Sequence, residues 1–457
     1  MNDNLITTLT NNTLTDSRIT AITNYRNFRA IYDNDYDEIQ SIIISDILNK
    51  LFSAKTIEKL RIKHLDIVTK YLNRQVSGIY AKEVKRSIEG DEKNKLDEVI
   101  HDMKIDLKMN EAYKKAKWFG LSVVHPRWRN NKLELDILTP DMFDCEPEKD
   151  IMSIKEIGLQ KYDPEINSIY YEQWSKDEYK LTDAEKNVVE YLGITNGLNP
   201  YKILPFEVLR FFEGLDFWGE PDWSGYLTQI EHDIKTTIGD KQEAFQMFGV
   251  PIATNLSMTD GQVLSCDTVI KVDNVKSNDL VSPALEFVVP NIDWNGIQNN
   301  LEKRLSDLYN SKGLPASSSS KETKAQSGAS KVIDELELEE QRQIDKTYLY
   351  YFEVALLNKI RTIWNYHNPT NKIPEGKIIV EFSKESDKVS VQDKIMKDEF
   401  DKKYNIKDEI DFIMEQGKTE AEAIEYYKIR KDRQKELGLT VEVKPETKSK
   451  LQSLIGK

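Results

Sequence analysis

Apolar residues recur at helical spacing in DYDEIQSIIISDILNK (35–50) and TIEKLRIKHLDIVTKYLNRQVSGIY (56–80), so both stretches predict helices. A third helical stretch covers 94–118 and stops at Gly120. The pattern then changes to alternation. LSVVHPRWRNNKLELDILTP places Leu133, Leu135 and Ile137 on one face beyond an Asn130-Asn131 turn, which predicts a hairpin, with a further short strand through MFDCEP. Strand-like pieces follow near 154–162, 168–174 and 187–194, and ILPFEVLRF reads as a buried strand after a turn-rich loop.

From Pro221 the periodicity returns to helix. PDWSGYLTQIEHDIKTTIGDKQEAFQMFG opens on Pro-Asp and ends on Gly249, both suited to helix ends. Short β pieces fill 250–290, namely VPIATNL, VLSCDTVIKVD and ALEFVVP. Residues 292–312 are helical again, with Ile297, Leu301, Leu305 and Leu308 on one face. A small β module is thus held between two helices. GLPASSSSKETKAQSG, nearly free of bulky apolar residues, runs straight into a helix expected over 330–366, about 55 Å long if straight. The strand KIIVEFS follows Pro374. Residues 389–437 are helical and densely charged, with Glu420, Glu422 and Glu425 a turn or two before Lys428, Arg430, Lys431 and Arg433, and VEVKPETKSKLQSLIGK reads as a tail.

The order of these segments resembles that of the portal proteins of tailed bacteriophages, of the siphophage type, and the likeness covers most of the chain. NEAYKKAKWFGLSVVHPRW with KLELDILTPDMFD is similar to the family's wing, and NPYKILPFEVLRF to the strand that follows it. The stretch 221–312 resembles stem helix, clip and second stem helix. GLPASSSSKETKAQSG stands where the family has a tunnel loop, SGASKVIDELELEEQ resembles the start of the long wing helix, and KYNIKDEIDFIMEQGKTEAEAIEYYKIRKDRQKE resembles the crown. The clip is short for the family and the tail is basic.

The resemblance implies an α+β portal fold. Its parts are a wing (1–220), a stem helix (221–249), a clip (250–291), a second stem helix (292–312) and a tunnel loop (313–329). The long wing helix and strand (330–386), a crown (387–437) and a tail (438–457) complete it. It also implies a ring, usually dodecameric, at one capsid vertex of the virion, assembled in the host cytoplasm. Such a ring conducts double-stranded DNA during packaging and ejection, and its expected partners are terminase, the major capsid or scaffold protein and a head-tail adaptor. No enzymatic activity, cofactor, metal or membrane is expected. In this setting Ser317, Ser318, Ser319, Ser320, Lys321 and Lys324 would touch DNA, with Gly313 and Gly328 as hinges. Glu231, Asp233, Asp240, Glu243, Glu302 and Asp307 would form a repelling channel wall. A solvated linker is the plainer account of the serine-rich stretch taken alone.

Composition bears on these expectations. The 457 residues are 39% hydrophobic and 31% charged, with a net charge of −14. Such a charge argues against broad gripping of nucleic acid but suits weak contact through a few lysines. No apolar run approaches the roughly 18 residues of a membrane span, and the N-terminus has no basic-then-apolar secretory pattern. Cys145 and Cys266 lie far apart, which predicts two buried thiols in a reducing compartment.

Other chemistry finds little support. There is no G-x-x-x-x-G-K-[ST], so the chain is not expected to be the packaging ATPase itself. Asp33, Asp35 and Asp37 hint at a calcium loop or a nuclease, but the glycine and final glutamate of a calcium loop are missing, and a helix start explains them better. The histidines (64, 101, 125, 232, 367) are scattered without zinc or triad spacing. The aromatic run TYLYYFEVALLNKIRTIWNYH reads as core or subunit seam, and Trp218, Trp223 and Trp294 as anchors of the stem helices. The alternatives to a portal are a metal-dependent nuclease and another phage ring or scaffold protein.

Overall fold

The computed structural model describes residues 16–51, 57, 62–81, 83–91, 95–148, 153–163, 168–183, 185, 187–189, 197–211, 217–248, 250–254, 284–288, 293–314, 328–382, 424–430 and 433. The chain forms two compact units, 1–325 with 333–385, and 326–332 with 386–457. In the second unit, residues 424–430 are helical and expose Tyr426 and Ile429. No helix among the described residues is long and apolar enough to cross a membrane.

The first unit mixes helices and sheets. It opens with α1 (Asp16–Asp33), which the sequence reading missed, and α2 (Tyr36–Ile43), which runs on through a π-helical turn at Ile44–Leu48 and a last turn at Asn49–Leu51. Asp35 caps α2 by accepting from the Glu38 amide at 3.3 Å, so the acidic cluster at 33–37 is a helix start. The helix expected over 56–80 is broken. Residues 62–67 are neither helix nor strand, and only Val68–Val76 forms the next helix, α3. The stretch 94–118 is likewise two helices, α4 (Lys95–Asp102) and α5 (Ile105–Phe119), separated by Lys104 at φ 52°. Gly120 ends α5 at φ 84°, and a Cβ there would lie 2.7 Å from the Glu220 carbonyl oxygen. Glycine is required at that position.

Strands β2 (Leu121–Arg129) and β3 (Lys132–Leu138) form the expected hairpin. Its turn residues Asn130 and Asn131 both have positive φ, 47° and 59°, as a two-residue turn of matching twist requires. β8 (Glu207–Arg210) joins the other side of β2. The next strand, β4 (Phe143–Pro147), leaves this sheet and starts a four-stranded antiparallel one. It continues through β5 (Ile154–Asp163), β6 (Ser168–Ser175) and the unexpected β7 (Tyr179–Asp183). Of the strand expected over 187–194, Val188 makes a single bridge to Thr182 and 190–194 lie outside the described residues.

The helix expected over 330–366 is α8 (Gly328–His367), 40 residues and so about 60 Å long. After it, β11 (Ile378–Glu381) pairs with β1 (Lys85–Ile88) from the start of the chain. Leu349, Phe352, Leu356, Leu357, Ile360 and Ile363 of α8 are buried in a cluster with α4, α5 and residues of both larger sheets, while Tyr351 and Tyr366 stay exposed. The aromatic run is therefore largely core. Charges of α8 that enter this core are matched. Glu353 accepts from Arg86 Nε at 2.6 Å and Tyr80 Oη at 2.7 Å, and Asp345 from Tyr113 Oη at 2.5 Å and Lys117 Nζ at 2.8 Å. Arg342 donates to the terminal carbonyls of α3 at Arg74 (2.8 Å) and Gln75 (3.3 Å). A second cluster joins α1, α2 and α3 to both ends of the 221–312 excursion through Phe28, Tyr71, Trp118, Tyr226, Ile230, Leu308, Tyr309 and Leu314.

Candidate functional site

The excursion begins with α6 (Trp223–Phe248), turns over in β9 (Val250–Thr254) and β10 (Ala284–Val288), and returns as α7 (Trp294–Ser311). Its pairings run antiparallel from end to end. Asp222 meets Lys312, Glu231 meets Arg304, Val250 pairs with Val288 and Thr254 with Ala284. Residues 255–283 of the expected clip lie outside the described residues.

Asp222 closes the root. One carboxylate oxygen accepts from the Gly225 amide at 3.0 Å and Ser224 Oγ at 2.8 Å, which caps α6. The same oxygen accepts from Lys312 Nζ at 2.7 Å, just past the end of α7, and the other accepts from Tyr71 Oη of α3 at 2.6 Å. Burial disfavours the charged carboxyl, yet the Lys312 ammonium and these hydrogen bonds hold it below the usual range. Gly225 makes the approach possible, since a Cβ there would stand 2.1 Å from Tyr71 Oη. Trp223 lies edge-on to Phe28 at 5.0 Å, and Trp218 packs on Phe143 at 5.4 Å, so these two do anchor the root. The Trp294 side chain lies outside the described residues.

The irregular residues 62–67 lie along α6. The Lys63 amide donates to Thr237 Oγ1 (2.9 Å), that of Leu65 to Asp233 Oδ1 (3.4 Å) and that of Ile67 to Gln229 Oε1 (3.0 Å). Gln229 Nε2 donates back to the Leu65 carbonyl at 2.8 Å. Alternate amides of the segment thus meet α6 side chains spaced four residues, about 6 Å, apart. Side chains of α6 thus satisfy amides that a helix would have satisfied internally.

This arrangement corrects part of the expected acidic wall. Asp233 is fully buried and cannot face a channel, because its carboxylate serves the irregular segment and His64, whose Nδ1 is 2.6 Å away. Burial acts against its charge, but the His232 and His64 imidazoles and Gln229 keep its carboxyl below the ordinary range. Glu231 is flanked by two cations, Lys235 at 2.9 Å and Arg304 of α7, so its charge is largely compensated. Asp240 is half exposed and pairs with Lys63 at 3.0 Å. Glu302 and Asp307 are exposed on α7, and the side chain of Glu243 lies outside the described residues.

At the far end of α7, Gly313 adopts φ 66°. Its amide donates to the Asn310 carbonyl at 3.0 Å, and that of Leu314 to Tyr309 at 2.9 Å, with Leu314 and Tyr309 both buried. This is a closed helix cap with its apolar contact, where a hinge was expected. Gly328 is the first residue of α8. Ser317, Ser318, Ser319, Ser320, Lys321 and Lys324 lie outside the described residues, as does Cys266, while Cys145 is half-buried in β4.

No protein-family model and no curated protein matches the sequence. Among solved structures, a chain of "Virion of native gene transfer agent (GTA) particle" is similar at 10% identity and a TM-score of 0.34, over 74% of this chain and 84% of that one. A chain of "Neck of empty GTA particle computed with C6 symmetry" is similar at 10% identity and TM-score 0.34, over 72% and 82%. Overlap this loose assigns neither a fold nor a role.

Proposed function

We propose that the chain is a non-enzymatic portal subunit, one of a ring at the capsid vertex that conducts double-stranded DNA and docks terminase and neck or tail proteins. One observation carries this reading. The helix–hairpin–helix excursion leaves and re-enters the body at one point, Asp222 with Lys312, and the serine-rich segment departs three residues later toward α8. A stalk closed at its root, with a polar segment starting beside that root, is the arrangement a stem and tunnel loop need. The residues between the α7 cap and α8, 315–327, are the proposed tunnel loop, and Lys321 and Lys324, repeated around a ring, would give weak, salt-dependent phosphate contacts without reading bases. Glu302 and Asp307 remain available for a wall that repels DNA.

Negative-stain microscopy of the purified full chain tests the proposal, with scaffold or capsid protein added if the chain alone stays monomeric. Rings with a central hole are the expected outcome. A monodisperse monomer under both conditions, or magnesium-dependent cleavage of DNA, would reject the proposal.

A further inference from the structure

We propose that His64 is a proton-dependent latch, carrying both ring protons to tie the α1–α2 turn and the irregular segment 62–67 to α6. The hydrogen-bond pattern leads to it. Nδ1 lies 2.6 Å from Asp233 Oδ2, a carboxylate that can only accept. Nε2 lies 3.0 Å from Asn34 Oδ1. The Asn34 amide cannot turn its NH2 toward the ring without loss, because that group donates to Asp66 Oδ2 at 3.0 Å. Both ring nitrogens therefore face acceptors, and an imidazolium alone satisfies both. Gln229 does not change this, since its Oε1 is held by the Ile67 amide and its Nε2 by the Leu65 carbonyl and Asp233.

The charged neighbours agree. Asp233 faces the ring from α6, with His232 Nδ1 3.5 Å from the same carboxylate, and Asp66 lies on the ring's own segment, where Lys63 is neutralised by Asp240. The hydrogen bond that Nδ1–H donates to Asp233 raises the His64 pKa, burial opposes it, and the Asp233 and Asp66 charges add to the rise. A raised folded-state value means the tie is fully present below the ordinary imidazole pKa of about 6.5 and is lost as pH climbs through the folded value. On deprotonation the Nδ1–H to Asp233 persists and the Nε2 lone pair meets Asn34 Oδ1, so the α1–α2 turn is the end released. The inference is independent of the portal reading.

Nitrogen-15 histidine labelling of the full chain, with hydrogen exchange followed across pH, tests the latch. The expected result is a doubly protonated His64 ring at pH 6.5 and a midpoint above that of a free histidine. Protection factors at Asn34 and Asp35, whose amides donate to Ile31 and Ala30 in the α1–α2 turn, corrected for intrinsic exchange, should fall by up to about tenfold per pH unit through the titration, while those at Lys63, Leu65 and Ile67 hold. His64→Gln should abolish that pH dependence. Asp66→Asn, whose side-chain oxygen can still accept from the Thr69 amide as Asp66 does at 2.9 Å and which lets Asn34 turn over, should lower the His64 midpoint and serves if the first variant does not fold. A neutral ring at pH 6.5, pH-independent protection at Asn34 and Asp35, or an unmoved midpoint in Asp66→Asn would overturn the latch.

Discussion

The ammonium of Lys312 lies 2.7 Å from the Asp222 carboxylate, joining the residue after α7 to the cap of α6. Replacing Asp222 with alanine removes the cap and leaves Lys312 and the Tyr71 hydroxyl without their shared acceptor. The expected loss is about 2–4 kcal/mol, read from the urea midpoint. Asp222→Asn should lose less, because an amide oxygen still caps the helix. With its folded pKa depressed, Asp222 stabilises above its ordinary value near 3.9, and that contribution disappears as pH falls through the folded value. The acid limb of stability should therefore be shallower in the asparagine variant, and identical acid limbs would contradict the assignment.

Gly225→Ala should destabilise the root through the collision of its Cβ with Tyr71 Oη, at 2.1 Å. Tyr71→Phe removes that oxygen and should recover part of the loss in a double-mutant cycle, a coupling of about 1 kcal/mol. Trp118, 2.9 Å from the same Cβ position, keeps the recovery incomplete. Strict additivity of the two changes would show that the close approach is not what demands glycine.

Arg86 and Glu353 form a buried pair that fastens α8 to β1, with both side chains at most 1% exposed. Arg86→Met alone strands the Glu353 charge and should cost about 3–5 kcal/mol. Arg86→Met with Glu353→Leu should be markedly milder, although Asp106 and Tyr80 then lose a partner. Thermal melts of the two variants beside the unaltered chain check the order. A double variant worse than the single one would mean the pair contributes more than mutual neutralisation.

Lys321→Glu with Lys324→Glu tests the proposed tunnel loop in assembled particles. Ring formation should be unchanged while the amount of DNA retained in heads falls. Normal packaging and retention in rings of normal yield would return the segment to the status of a linker.

Much of the fold was legible because apolar spacing is local. Leu133, Leu135 and Ile137 gave β3, and the Asn130-Asn131 pair gave its turn. The failure at 62–67 has a physical cause. Apolar residues recur through 56–80 as a helix would place them, but the groups that hold 62–67 out of a helix, Gln229, Asp233 and Thr237, lie some 160 or more residues away. Strand β7, YKLTD, is too short and polar to announce itself. At the root, Pro221-Asp222 signalled a helix start, while the convergence of Tyr71 and Lys312 on Asp222 could not be read. Asp233 was misjudged for the same reason. Its sign was visible in the sequence and its partners were not.

Closure at Asp222–Lys312 turns the point of departure into a socket. Chain enters and leaves through a single polar junction, so whatever is plugged in above it can change length without re-routing the body. Removing matched turns from α6 and α7, between the Glu231–Arg304 contact and the hairpin, would shorten the rod by about 5.4 Å per turn and leave the junction intact. The hairpin at the tip becomes an exchangeable head and the root its fitting. A lineage or an engineer can thus swap tips for new partners while keeping one body.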